Sequence, residues 1–217
     1  MRRALPPRAP AVVAAALLFS WGRTGPDYTS SIETWRRERV HRLTGNDGWL
    51  TVAGLYWLEE GDNPAGTESG SRILLPQGSA PPRVGVFRRA KDEVTFVADP
   101  SARVTSDGQP VTTIKMKDDS TGKPDQIVVD DLTMFIIKRG DRFGVRLRDR
   151  NRRERREFAG LDYYPIRSEY RVVAEWVPYE PPRTIPIPNI LGMSEDLPCP
   201  GYARFTIDGK EQRLEPV

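Results

Sequence analysis

Between Arg142 and Arg148 the side chains alternate strictly: Phe143, Val145 and Leu147 are apolar, whereas Gly144, Arg146 and Arg148 are not. Successive strand residues point to opposite sides of a sheet, so this pattern predicts a strand with one face buried and one face not. The same period recurs in short apolar runs divided by turn formers, and a chain of that kind is confined to antiparallel sheets. Strands are predicted at 72–75, 84–87, 93–97, 103–104, 109–115, 126–129, 132–138 and 142–148, then at 170–178, 185–190, 202–207 and 212–214. Asp107-Gly108, Arg139-Gly140-Asp141 and Asp208-Gly209 supply the positive-φ positions of tight hairpins. Twenty prolines and eighteen glycines among 217 residues fit such a strand-and-turn chain. Leu50 to Trp57 is an apolar stretch broken by Gly54, and Glu59-Glu60-Gly61-Asp62-Asn63-Pro64 is dense in turn formers.

One segment departs from this period. Ser30 and Glu33 fit a capping box, and a helix over 31–43 is predicted after it. Ile32, Trp35, Val40 and Leu43 would form its apolar stripe, with Arg36, Arg37, Glu38 and Arg42 in water and His41 partly exposed beside the stripe. The charged run over 149–157, with arginines at 150, 152, 153, 155 and 156, reads as a domain boundary or a solvated connector. The expected fold is mainly β: an antiparallel β-sandwich preceded by one amphipathic helix, then a second, incomplete antiparallel β unit. The expected organisation is 1–26, 27–150 and 151–217.

The first segment resembles a secretory signal or an N-terminal anchor, with Arg2, Arg3 and Arg8 ahead of the apolar run from Ala11 to Phe19. Export to the periplasm or cell envelope is the expectation, with membrane contact only through that segment. The formal charge of +3 is concentrated there. Without the four arginines that precede Gly25 the remainder would carry −1, so global charge predicts no nucleic-acid partner.

Chemistry-bearing motifs are scarce. Cys199 is the single cysteine, in Pro198-Cys199-Pro200-Gly201, and His41 is the single histidine, so no disulfide and none of the usual zinc sites can form within the chain. Neither a G-x-S-x-G elbow nor a phosphate loop is present; Gly66-Thr67-Glu68-Ser69-Gly70 lacks the lysine and the helix that a phosphate loop requires. No cofactor is expected. Asp118-Asp119 and Asp130-Asp131 fall in predicted turns, where carboxylates cap amides. The last predicted strand stops at Val217 without a cap, and the chain is expected to be part of a longer one.

Several stretches resemble a known family. Gly48-Trp49-Leu50-Thr51-Val52-Ala53-Gly54-Leu55-Tyr56-Trp57-Leu58, Gly144-Val145-Arg146-Leu147-Arg148-Asp149, Phe158-Ala159-Gly160-Leu161, Tyr170-Arg171-Val172-Val173-Ala174 and Pro200-Gly201-Tyr202-Ala203-Arg204-Phe205 are similar to the bacterial domain-of-unknown-function family 1684. The resemblance implies export or lipid anchoring and a polypeptide continuing past Val217, and it implies no mechanism. A second resemblance, over roughly 57–148, is to the forkhead-associated phosphopeptide-binding sandwich, in its order of glycine, strand, loop and turn. The binding residues of that sandwich do not match: Thr67 stands where its arginine would be, Pro82-Arg83-Val84-Gly85 replaces its Ser-x-x-His element, and Asp107 its asparagine. Phosphothreonine recognition is therefore not predicted.

Two functional readings follow. In the first the protein is a non-catalytic binding or structural module whose aromatic residues, Trp49, Tyr56, Trp57, Tyr163, Tyr164 and Trp176 among them, partly line a groove for a small molecule, carbohydrate or lipid. The residues assigned to that ligand are Trp49, Trp57, Arg146, Asp149 and Tyr164. In the second the protein is a hydrolase or isomerase, in which Arg146 and Asp149 act with carboxylates of a C-terminal part absent from this chain.

Overall fold

The computed structural model describes residues 27–188 and 192–217. The leader expected over 1–26 and the end of the strand expected over 185–190 lie outside or run beyond the described residues. The described residues form two compact units, one of 33–166 and one of 167–188 and 192–217 together with 27–32.

The larger unit contains two sheets. The first has six strands in the order β1 (Val52–Trp57), β11 (Arg142–Asp149), β10 (Leu132–Arg139), β9 (Gln126–Val129), β6 (Thr105–Ser106) and β7 (Gln109–Pro110). The second has five, in the order β3 (Ile73–Leu74), β2 (Gly61–Gly66), β4 (Gly85–Ala90), β5 (Glu93–Ala98) and β8 (Thr113–Met116). All pairings are antiparallel except the short β2–β3 ladder at Ala65–Ile73 and Gly66–Leu74. Phe87, Val94 and Phe96 of the second sheet share one core with Met134, Ile136, Val145 and Leu147 of the first, as expected of a sandwich. The turns expected from sequence are present: Asp107 and Gly108 have φ of 49° and 74°, and Gly140 has 58°. Asp130, between β9 and β10, adopts 48°.

Several expectations are corrected. The 59–64 segment is not all turn, because Gly61 to Gly66 is strand β2. Pro64 is tolerated there since β3 joins only at Ala65 and Gly66, leaving the outer edge of β2 unpaired beside the proline. The strand expected over 109–115 is two, β7 and β8, in different sheets; the chain crosses at Val111 and Thr112, whose backbone bonds go to Val104 and Ala98. The 103–104 strand lies two residues further on, at Thr105 and Ser106.

The lead helix α1 runs Tyr28–Thr44, so Ser30 and Glu33 sit inside it and cannot form the capping box. Trp35 is exposed, and Arg36 takes its expected place in the half-buried row with Val40 and Leu43. The cause is local: the Arg36 guanidinium lies 4.5 Å over the Tyr163 ring and donates to the Tyr164 carbonyl at 2.5 Å. Within the charged run, Arg153–Arg156 forms the short helix α2. Arg155 is no solvated connector residue, because it donates to the carbonyls of Thr44 (2.7 Å) and Arg150 (2.8 Å) and to Asn46 Oδ1 (3.0 Å).

The smaller unit is a three-stranded antiparallel sheet in the order β12 (Glu175–Pro188), β13 (Ser194–Ile207) and β14 (Lys210–Leu214). The strands expected over 170–178 and 185–190 are one long strand, β12, whose register against β13 breaks between Pro178 and Arg183 where Pro181 and Pro182 intervene. Of its expected first residues, Tyr170 ends a 3-10 turn at Ser168–Tyr170 and 171–174 belong to no strand. Cys199 lies in β13, fully buried, with its thiol 3.3 Å from the Gly201 carbonyl.

Candidate functional site

The six-stranded sheet has a second face, turned away from the shared core. On β11 the core side is Phe143, Val145 and Leu147, and the other side carries Arg142, Gly144, Arg146 and Arg148. Register extends that outer face across the neighbours: Leu55 and Phe135 flank Arg146, and Trp57 and Ile137 flank Gly144. The expectation that this side is simply unburied is corrected on β10, where Thr133, Phe135 and Ile137 are 4%, 9% and 3% exposed. Arginine stems and rings do the covering: the Arg148 guanidinium lies 4.9 Å over Phe135 and that of Arg142 lies 3.9 Å over Trp57. Gly144 leaves the notch that lets those groups meet, since a Cβ there would fall 2.9 Å from Leu55 Cδ1 and 3.0 Å from Trp57 Cε3.

Charge on this face is incompletely matched. Arg139 is neutralised by Asp119, with Nη1 2.7 Å from Oδ2. Arg148 donates from Nη1 to Asp47 at 3.2 Å, while its Nε is buried with no acceptor. Arg146 makes no hydrogen bond or ion pair among the described residues; its guanidinium lies 6.0 Å over the ring of Trp49. Burial, then the nearby charges of Arg139 and Arg148, lower its pKa from the ordinary arginine value, with Asp119 opposing them. A half-buried cation held between two like charges is a site at which an added anion would be stabilised.

The residues assigned from sequence fall out as follows. Trp49, in the 3-10 turn Trp49–Thr51, is 69% exposed and stands beside Arg146. Trp57 is on the same face but is occupied by Arg142. Asp149 belongs to the opposite side of β11 by alternation, and its Oδ1 accepts the Asn151 backbone N–H at 2.7 Å, which closes its own turn. Tyr164 contributes its carbonyl to Arg36 and is as a residue 85% exposed. The structure thus brings together Trp49, Trp57 and Arg146 and leaves Asp149 and Tyr164 aside. Arg139, Arg148 and Phe135 join the face without having been singled out. For Phe135 a signal is legible: 132–137 reads Leu-Thr-Met-Phe-Ile-Ile, a near-continuous apolar run that denotes a strand covered on both faces.

Asp118 caps the 3-10 turn at Asp119–Thr121 by accepting the Ser120 N–H, and Asp119 accepts the Lys138 N–H, so that pair is engaged in the fold. Among the described residues no three His, Cys, Asp or Glu side chains are gathered so as to hold a metal ion, and no helix is long and apolar enough to cross a membrane.

No curated protein matches the chain. Among solved structures, one described as "Structural and functional analysis of phosphothreonine-dependent FHA domain interactions" is similar at 17% identity and a TM-score of 0.31, over 43% of this chain and 92% of that one. In the family comparison, residues 156–217 match the family model described as "Protein of unknown function (DUF1684)", whereas the similar segments at 48–58 and 144–149 lie outside the match.

Proposed function

We propose that the protein is an exported binding module whose ligand is a small molecule carrying a carboxylate or phosphate on a ring-shaped or apolar body, held at the outer face of the six-stranded sheet. The observation that carries this reading is the Arg146 guanidinium, half-buried, in no hydrogen bond or ion pair among the described residues, and set beside the exposed ring of Trp49. A guanidinium offers a planar fork of donors that fits an oxyacid in two-point fashion, and the indole ring offers a surface for the attached body. The buried, unpartnered Nε of Arg148 adds a further donor on the same face. Binding is favoured over catalysis because Asp149, the nearest candidate base in sequence, is hydrogen-bonded into its own turn and faces away from Arg146. The export part of the proposal rests on the basic and apolar pattern of the first residues.

The test is a titration of the full chain with glucuronate, octanoate and inorganic phosphate, followed by tryptophan fluorescence and thermal shift, with glucose and octanol as neutral counterparts. One of the anions should saturate and raise the unfolding midpoint, by about 2.7 kcal/mol of stabilisation at a hundredfold excess over Kd. Arg146→Met should weaken that anion by about 10-fold to 100-fold, the worth of a charged hydrogen bond. Equal response to the neutral counterparts, an unaltered affinity in Arg146→Met, or no response to any of the three anions would overturn the reading.

A further inference from the structure

The face around Arg146 holds more positive charge than a single carboxylate would match. Alternation along β11 puts Arg146 and Arg148 side by side on the outer face, and register sets Phe135 and Thr133 of β10 opposite them. Both facing residues are uncharged and buried, so that strand supplies no counter-charge. The other flank is equally neutral, with Leu55 of β1 opposite Arg146 and Val52 opposite Arg148. Two further cations, Arg139 and Arg148, and one carboxylate, Asp119, stand within electrostatic reach of Arg146. Asp119 is engaged by Arg139 at 2.7 Å, so the cluster sets three positive charges against one negative. Asp47 answers Arg148 only in part: it lies 3.2 Å from Nη1, its side chain is 76% exposed and so screened by water, and Nε stays buried without an acceptor.

The excess is concentrated at one spot. Arg148 leans 4.9 Å over the ring of Phe135, the residue opposite Arg146, and this draws its guanidinium toward that of Arg146. Two guanidinium groups drawn to one ring repel each other, and an anion set between them turns that repulsion into attraction on both sides. Trp49, beside Arg146, offers a ring to whatever the anion is attached to.

We infer that this face takes a phosphate monoester in its doubly charged form, with the phosphate between Arg146 and Arg148 and the esterified group against Trp49. The inference rests on the reading of Arg146 as an anion site and narrows its ligand. A carboxylate or a sulfate ester brings one charge and leaves one cation of the cluster unmatched. A phosphate monoester brings nearly two, on three terminal oxygens that accept from both guanidinium groups at once. A dicarboxylate has the same charge on two separate groups, whereas the unpaired donors lie together.

The experiment is calorimetric titration of the full chain with phenyl phosphate, phenyl sulfate and isophthalate, at about pH 7.5 and at about pH 5. Phenyl sulfate has the same ring and a tetrahedral head but one charge throughout, while phenyl phosphate gives up its second charge near pH 6. The ratio of their affinities therefore isolates the second charge from any change in the protein. At the higher pH phenyl phosphate should bind at least about tenfold more tightly than either of the others, the worth of a charged hydrogen bond. Its advantage over the sulfate should fall several-fold at the lower pH. Arg148→Met should shrink that advantage, and Asp119→Asn, which removes the opposing carboxylate, should widen it; circular dichroism of each variant checks that the sheet is formed. Equal affinity for phosphate and sulfate, an advantage that does not change with pH, or isophthalate bound as tightly as phenyl phosphate would overturn the inference and leave the anion site standing. Binding of none of the three would overturn both.

Discussion

Asn63→Ala tests how the second sheet of the sandwich is held. Asn63 is fully buried at the start of β2. Its Oδ1 accepts the Glu59 N–H at 2.9 Å, and its Nδ2 donates to the carbonyls of Glu59 (2.9 Å), Gly61 (3.0 Å) and Phe87 (3.1 Å). One side chain therefore ties the loop before β2 to β4. Truncation strips the Phe87 carbonyl of its side-chain donor, leaving it its ladder partner alone, and removes the two bonds to Glu59, at about 1 kcal/mol for each of the three. The expected loss is about 3 kcal/mol. That is a large part of the ~5–15 kcal/mol by which a domain is stable. At roughly 3–4 °C per kcal/mol for a domain of this size the unfolding midpoint should fall by about 10 °C. Thermal unfolding by circular dichroism gives the midpoint, and hydrogen exchange of peptides covering 61–66 and 85–90 gives the location. A fall below about 3 °C, or exchange that rises equally everywhere, would refute the assignment of Asn63 as the tie.

Two further outcomes follow from the 149–157 region. Glu154 accepts both Arg152 donors, and this bond, assisted by its own backbone, lowers its pKa from 4.5 to about 2. A depressed carboxylate stabilises the fold above its unfolded value and ceases to as pH falls, so protection of the α2 amides should be lost between about pH 4.5 and 2. Glu154→Gln should flatten that dependence, and an NMR titration midpoint near the ordinary glutamate value would sink the claim. Arg155→Ala should cost about 2 kcal/mol in urea unfolding by stripping donors from Thr44, Arg150 and Asn46. Arg155→Lys should recover less than half of it, as an ammonium cannot span three acceptors in that fork; a loss under about 0.5 kcal/mol would contradict the clamp.

Legibility followed the range of the forces involved. Hairpins turned by Asp-Gly pairs and the alternation on β11 are local, and they were readable because a positive φ or a period of two is inscribed in adjacent residues. The role of Asn63 was not, since a buried asparagine that bonds to residue 87 carries the same letter as one in a turn. Arg36 was misplaced for the same reason: what draws it inward is Tyr163 and the Tyr164 carbonyl, more than a hundred residues away. Of the candidate site, Trp49, Trp57 and Arg146 could be picked out as two rings and a cation on or beside short strands. That Asp149 would turn from Arg146 was implicit in their odd spacing along one strand, which puts them on opposite sides.

The strand order also governs when each part of the molecule can be completed during synthesis. The ladders among β2, β3, β4, β5 and β8 need nothing beyond Met116, so that sheet has all its partners once this residue has left the ribosome. Strand β1 precedes them all yet pairs with β11, and must wait, with one edge open, for Arg148 to emerge. The last-made strand of the sandwich thus closes over the first, a late, long-range event of the sort that slows folding and leaves a nascent edge in need of shelter.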